Sequence, residues 1–326
     1  MDKALRCIRG HKSFLVTSHK NLEGDALGSE LAIAQLLKAL GKKVIIVNDD
    51  PAPEEYSFMP GINKIKLLRN LKRENNFDCF CLVDCSSEDR CGKVWQLNKT
   101  KKAFVLNIDH HISNTYFADV NLVLAGASSC SEIVYRLFKK SKIKFDRVSS
   151  NALYTGIMTD TGSFRYNTTS SFTHQAVADL MPFMKIGVSE IYRKIYEDIR
   201  ISSLKKAAKI ISQVKTACNG KLAWVVIPEA ALSKKDDFDL PEYILSHIRA
   251  LKGVQAAVLL RKLPEDRSKV RVNFRSQGKI DVNKIASLFG GGGHKCASGC
   301  TLEGGIGRIE QDIIKETSRV VNARNL

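Results

Sequence analysis

FLVTSHKNLEGDALGSELAIAQLLKAL, residues 14–40, decides the fold. A short apolar run leads into a polar turn holding His19, Glu23 and Asp25, and an alanine- and leucine-rich helical segment begins at once. Strand, turn and helix in that order open a parallel α/β unit. The pattern continues outward. KKVIIVN (42–48), FDCFCLVD (77–84) and KAFVLNIDHH (102–111) are apolar runs separated by helix-length connections, which predicts a parallel sheet with helices on both faces. Ligands in such sheets gather at the carboxyl ends of the strands. His19 follows the first run, Asp84 closes the third, and Asp109, His110 and His111 close the fourth.

From about residue 128 the pattern turns helical, through SSCSEIVYRLFKK (128–140), VSSNALYTGIMTDTGSF (148–164) and SFTHQAVADLMPFMK (171–185). SEIYRKIYEDIRISSLKKAAKIISQV (189–214) is amphipathic without Pro or Gly and reads as a linker helix. KLAWVVIP (221–228), VQAAVLLRK (254–262) and KVRVNFRS (269–276) read as strands of a smaller mixed α/β C-terminal domain, and the helical DVNKIASLF (281–289) runs into GGGGHKCASG (290–299). The division expected is an α/β domain over 1–186, a helical linker over 187–218 and a second domain over 219–326.

Of 326 residues, 44% are hydrophobic and 26% charged, as in globular chains. No apolar run approaches the roughly 18 residues that a membrane span needs, and MDKALRCIRGHK lacks the apolar region of a secretory signal. A cytoplasmic protein that does not enter the membrane is expected. Nine cysteines are too irregularly spaced for a paired zinc or iron–sulfur motif; Cys79 and Cys81 read as buried strand residues. The net charge is +17, and residues 201–326 carry 22 basic and 12 acidic side chains. RKLPEDRSKVRVNFRSQGK (261–279) holds Arg261, Lys262, Arg267, Lys269, Arg271, Arg275 and Lys279 against Glu265 and Asp266. Such a patch suits a phosphate-bearing partner or serves as a solvated face.

The side chains at the strand ends are of one chemical kind. Glu23, Asp25, Asp84 and Asp160 with His19 and His110 supply hard and borderline donors without thiolates. That set favours Mn²⁺ and admits Mg²⁺, Co²⁺, Fe²⁺ or Zn²⁺. Four carboxylates and two imidazoles exceed the needs of one cation and suit two, and two-metal sites carry out phosphoryl transfer. Singly, each residue has a plainer reading: Asp25 as a helix cap, the other aspartates as turn formers, a loop histidine as polar surface.

The ordered motifs resemble those of the DHH-family phosphoesterases: SHKNLEGDALGS (18–29), LVDCS (82–86), DHH (109–111) and GIMTDTGSF (156–164). FGGGGHKCASG (289–299) resembles the glycine-rich motif of the DHH-associated C-terminal domain. The resemblance implies that His19, Glu23 and Asp84 hold a first metal, and that Asp25, Asp84, His110 and Asp160 hold a second. It implies that His111 faces the scissile phosphate and that Asp109 orients the neighbouring histidines. A purely structural role is an equal alternative for Asp109 and Asn21. The family's first motif usually reads N-P-D-G-D, whereas Asn21-Leu22-Glu23-Gly24-Asp25 replaces Pro with Leu and the first Asp with Glu. Glutamate keeps the charge and lengthens the arm by one methylene.

In the C-terminal motif Gly291, Gly292 and Gly293 suit either a phosphate nest or a turn. The resemblance favours substrate binding there, with His294, Lys295 and the bidentate fork of Arg275 as contacts. The chain resembles the nanoRNase A branch, which implies hydrolysis of short oligoribonucleotides and of 3′-phosphoadenosine 5′-phosphate with two divalent metal ions, Mn²⁺ expected. Phosphodiesterase action on cyclic or linear di-AMP is the first alternative. Pyrophosphatases of family II share the four N-terminal motifs but carry an S-R-K-K-Q type signature in the second domain. A nucleotide- or RNA-binding regulator with impaired catalysis is the alternative of another class. Partners implied are short RNA oligonucleotides or nucleotide phosphates, and the chain is compatible with a homodimer.

Overall fold

A computed structural model describes residues 1–71, 76–231, 239–264 and 266–323; Glu265 of the basic patch lies outside them. The chain divides into two compact units, Met1–Glu197 and Asp198–Leu326.

The first unit is built on six strands: β1 (Ser13–Thr17), β2 (Lys43–Asn48), β3 (Ile65–Leu67), β4 (Cys79–Val83), β5 (Phe104–Asp109) and β6 (Val120–Val123). All neighbours pair in parallel, in the order β3-β2-β1-β4-β5-β6. The order reverses between β1 and β4, so the crevice at their carboxyl ends is the topological switch point at which such sheets bind ligands. Edge strands β3 and β6 were not expected; three and four residues are too few to give a periodic signal.

Both faces are covered, as expected, but unequally. The helices on one face are α1 (Asp2–Gly10), α2 (Gly24–Ala39), α4 (Cys130–Ser141), α5 (Arg147–Asp160), α6 (Ser171–Leu180) and α7 (Val188–Tyr196). They close over the strand residues Phe14, Val16, Cys81, Val83, Leu106 and Ile108. The other face, with Leu15, Val47, Phe80, Leu82 and Val105, is sealed by Cys85, Cys91, Val94 and Trp95. Cys85 follows β4, and the other three come from the 3₁₀ turn Glu88–Val94 and the helix α3 (Trp95–Lys101). Burial on both faces accounts for strands that read as unbroken apolar runs, and Cys79 and Cys81 are indeed core residues.

Helices α2 and α5 meet through glycine. A Cβ on Gly28 would lie 2.4 Å from the Ala152 carbonyl, and one on Gly156 would lie 2.0 Å from Ser131 Oγ and 2.8 Å from Asp25 Oδ1. These helices approach backbone to backbone, and the approach brings Asp25 at the start of α2 towards Asp160 at the end of α5.

The stretch expected as one linker helix over 187–218 is broken. It forms α7 in the first unit and α8 (Ile201–Ile211) in the second, followed by strand β7 (Lys215–Ala217). Asp198 between the helices has φ 59°. Aspartate tolerates the left-handed region better than most residues, and an amphipathic pattern without Gly or Pro gives no sign of such a break.

The second unit is a mixed six-stranded sheet in the order β11-β12-β10-β9-β8-β7. Beyond β7 the strands are β8 (Leu222–Val226), β9 (Ala256–Lys262), β10 (Lys269–Ser276), β11 (Gly292–Gly293) and β12 (Ala297–Glu303), with β8–β9 the parallel pair. One face packs Val258, Leu260, Val270, Val272 and Phe274 with residues of α10 (Val282–Leu288) and α11 (Ile306–Ala323). The other packs Ala223, Val225, Ala257 and Leu259 with α8 and α9 (Leu240–Arg249).

Candidate metal centre

The turn after β1 is short, with Asn21 in the left-handed region at φ 61°. Asparagine is among the residues that accept this conformation most readily. His19 and Glu23 lie on this turn. Asp25 opens α2, Asp84 follows β4 at φ 54°, His110 and His111 follow β5, and Asp160 ends α5. A non-glycine residue held in the left-handed region directly after a central strand is the kind of local strain found at functional sites.

Two sets of donors form. His19, Glu23 and Asp84 present ligand atoms within 4.8 Å of one another, and so do Asp25, His110 and Asp160. Asp84 stands between them: its Oδ2 is 3.3 Å from His19 Nε2 and its Oδ1 is 3.5 Å from His110 Nε2. His19 Nε2 is also 3.6 Å from Glu23 Oε1, and His110 Nε2 is 3.4 Å from Asp160 Oδ2. All eight N-terminal residues singled out in the sequence therefore converge, Asp109 and His111 included. Glu23 is at the rim, its side chain 58% exposed, while those of Asp25 and Asp84 are 1% exposed.

The donors fit cations. Asp84 Oδ1, Asp84 Oδ2 and His19 Nε2 are buried without a hydrogen bond, an arrangement too costly to keep unless something else satisfies them. Burial works against the charge of Asp84, but His110 and His19 outweigh it and hold the carboxyl well below its usual range. Burial pushes Asp25 up to about 6, with the charge of Asp84 adding to it, and raises Asp160 strongly. His110 and His19 are raised despite burial, by the carboxylates around them.

Several supports escaped the sequence reading. Ser129 caps α4 by accepting from the Glu132 amide. The next two amides, Cys130 and Ser131, donate to Asp25 Oδ2 at 2.7 Å and Oδ1 at 2.9 Å. A helix N-terminus thus fixes both oxygens of this ligand. His111 Nδ1 bonds Asp109 Oδ1 at 2.7 Å, and Asn114 Nδ2 donates to Asp109 Oδ2 at 2.6 Å. Asp109 carries negative charge readily, because His111 and Asn114 outweigh its burial. Asn114 stands three residues after the DHH motif, a spacing that gives no signal by itself. Beneath the turn, Asn48 Nδ2 donates to the fully buried Glu30 at 2.8 Å, and Thr17 Oγ1 donates to Asn48 Oδ1 at 3.1 Å. Burial pushes the Glu30 carboxyl up to about 7, against the pull of the Asn48 bond. The other oxygen of Glu30 has no hydrogen bond.

Residues 13–157 match the DHH family, N-terminal domain, and residues 239–323 match the DHHA1 domain. The chain carries a DHH-family N-terminal domain and a DHHA1 domain. It is 28% identical to the bifunctional oligoribonuclease and PAP phosphatase NrnA of Thermus thermophilus, over 93% of this chain and 87% of that one. It is 26% identical to the protein of the same name from Bacillus subtilis, over 91% and 92%. An exopolyphosphatase-related protein from Bacteroides fragilis shares the fold, with a TM-score of 0.85 at 24% identity over 98% of this chain and 97% of that one.

In the second unit, which holds the DHHA1 match, the glycines have a packing role. Gly292 and Gly293 pair antiparallel with Gly299 and Ser298. A Cβ on Gly291 would lie 2.3 Å from the Gly299 carbonyl, and Gly293 has φ 141°. The amides of Gly290, Gly291 and His294 donate to Ser287, Ala286 and Ala297, so backbone partners already take these donors of the expected nest. His294 is half-buried and Lys295 exposed in the tight turn that joins β11 to β12. Arg275 lies opposite Ala297, next to that turn. Its guanidinium bonds Glu242 on α9, Nη2 to Oε2 at 2.7 Å and Nε to Oε1 at 3.4 Å. The fork expected for phosphate is held by a carboxylate in this structure.

Proposed function

We propose that the protein hydrolyses short oligoribonucleotides to mononucleotides, with 3′-phosphoadenosine 5′-phosphate as a related substrate. The placement of Asp84 between two donor sets, both its oxygens buried and without hydrogen bonds, carries this reading. The names of the NrnA relatives support the substrate class. His19, Glu23 and Asp84 would hold one divalent cation, and Asp25, Asp84, His110 and Asp160 a second, with Mn²⁺ suited to the mixed carboxylate and imidazole donors. Such a pair, when bound, supplies an acidified water and positive charge for the oxygens of phosphoryl transfer.

The chain's own side chains do the rest. The helix N-terminus at Cys130 and Ser131 orients both oxygens of Asp25 and favours its charge against burial. Asp109 accepts the Nδ1 proton of His111, so proton transfer to or from substrate falls to Nε2. Arg275, His294, Lys295 and the glycine run are the substrate contacts proposed for the second unit, and for Arg275 that role requires exchange of Glu242 for phosphate. No helix among the described residues is long and apolar enough to cross a membrane, and a cytoplasmic setting suits these substrates and the free thiols.

Purified protein with Mn²⁺ should release mononucleotides from a 5′-phosphorylated RNA dinucleotide. It should prefer that substrate and 3′-phosphoadenosine 5′-phosphate to cyclic di-AMP and pyrophosphate in kcat/KM. No turnover by the wild type, or undiminished turnover by Asp84→Ala, would sink the proposal.

A further inference from the structure

At the amino edge of the first sheet, opposite the carboxyl edge that carries the metal centre, a second group of ligand atoms gathers. Cys7 and His11 lie four residues apart at the end of α1, a spacing that puts both on one helical face. Cys79 is the first residue of β4, paired with Phe14 and Phe104 on the flanking strands. The donor atoms of Cys7, His11 and Cys79 lie within 4.8 Å of one another.

We propose that Cys7, His11 and Cys79 form a binding site for a zinc-class cation that clasps the N-terminal helix onto the sheet. Two thiolates and an imidazole are a tetrahedral zinc set lacking one ligand. Zn–S near 2.3 Å and Zn–N near 2.0–2.1 Å at a tetrahedral angle require sulfur and nitrogen about 3.5 Å apart. Cys7 Sγ and His11 Nδ1 are 3.7 Å apart. Both thiols are buried, and the imidazole is half-buried. Its ring is held against Phe104 at 4.9 Å and Phe14 at 6.3 Å between centroids, so its orientation is set before any ion arrives. Nδ1 also bonds the Cys7 carbonyl at 2.8 Å. Ligation through Nδ1 exchanges that bond for one to the ion, with the ring staying where the two phenyl rings hold it. The fourth position falls to water. Binding releases the two thiol protons to solvent as the metal–sulfur bonds form.

The donor chemistry separates this site from the carboxylate-rich centre, because only thiolates give an intense near-ultraviolet charge-transfer band with Co²⁺. Reduced wild-type protein titrated with Co²⁺ should develop that band with one thiolate-bound ion per chain. Cys79→Ser and Cys7→Ser should lose it, His11→Ala should raise the Co²⁺ dissociation constant at least about tenfold, and Cys91→Ser should keep it. The two serine variants leave the carboxylate-rich centre intact, so either one that retains wild-type circular dichroism suffices for the reading. Absence of the band in wild type at excess Co²⁺, or its survival in a folded serine variant, overturns the proposal. Loss in Cys91→Ser instead overturns it too, since it moves the thiolate ligands to the Cys85–Cys91 pair, whose sulfurs are 3.0 Å apart.

Discussion

Replacing Glu30 with glutamine takes one titrating proton out of the buried chain that runs through Asn48 to Thr17. Glutamine keeps the shape and mimics the protonated acid. Burial lifts the Glu30 carboxyl from an ordinary 4.5 to about 7, so between these values the folded protein holds a proton that the unfolded chain has released. Stability contributed by that proton is complete below about pH 4.5, falls as pH rises, and is fully lost above about pH 7. A displacement of about 2.5 units at 1.36 kcal/mol per unit gives about 3 kcal/mol over the window. Glu30→Gln should therefore gain about 3 kcal/mol on the wild type between pH 4.5 and pH 8. At about 2 kcal/mol per molar urea this is a relative midpoint shift of roughly 1.5 M. Urea unfolding in chelator, followed by Trp95 fluorescence in a Trp224→Phe background, reads the first unit, and taking the difference between the two proteins cancels the titration of other groups. A difference that stays constant with pH, or grows as pH falls, would show that Glu30 does not titrate in this way.

Substitutions at three further positions probe the scaffold around the candidate metal centre. Gly156→Ala places a methyl against Ser131 Oγ and Asp25 Oδ1. It should cost about 1–3 kcal/mol, read as a lower thermal midpoint, and weaken Mn²⁺ binding. Asn114→Ala strips Asp109 of its 2.6 Å donor; a loss of about 1–3 kcal/mol in urea unfolding is expected, with a shifted pH–rate profile because the His111 tautomer is less well fixed. Glu23→Ala, at an exposed rim position, should leave metal-free stability within about 0.5 kcal/mol while raising the Mn²⁺ concentration for half-maximal turnover, and Glu23→Asp should restore most of the affinity.

The candidate ligands were legible because each sits where a strand or helix begins or ends, and those boundaries show as switches in hydrophobic period. His19, Asp84 and His110 follow apolar runs, and Asp25 opens a helix. The supports were not legible, since they are long-range. The Asp25 bond to the Ser131 amide spans 106 positions, and Cys79 finds Cys7 across the sheet, where local cysteine spacing could only suggest a core residue. The break at Asp198 was hidden because one left-handed residue leaves the amphipathic pattern intact. In the second unit the glycine run was found from its sequence, but its pairing with β12 depends on partners that local sequence does not name.

The hydrogen bonds from Cys130 and Ser131 to Asp25 also bear on the order of assembly. The centre draws on residues from His19 to Asp160, so most of the first unit must be in place before its donors meet. Closures of this length are slow steps of folding. Cation binding at this centre would therefore report completion of the unit, and a chain stopped before α5 would have the turn, the strands and five of the six candidate ligands without a finished place to hold an ion.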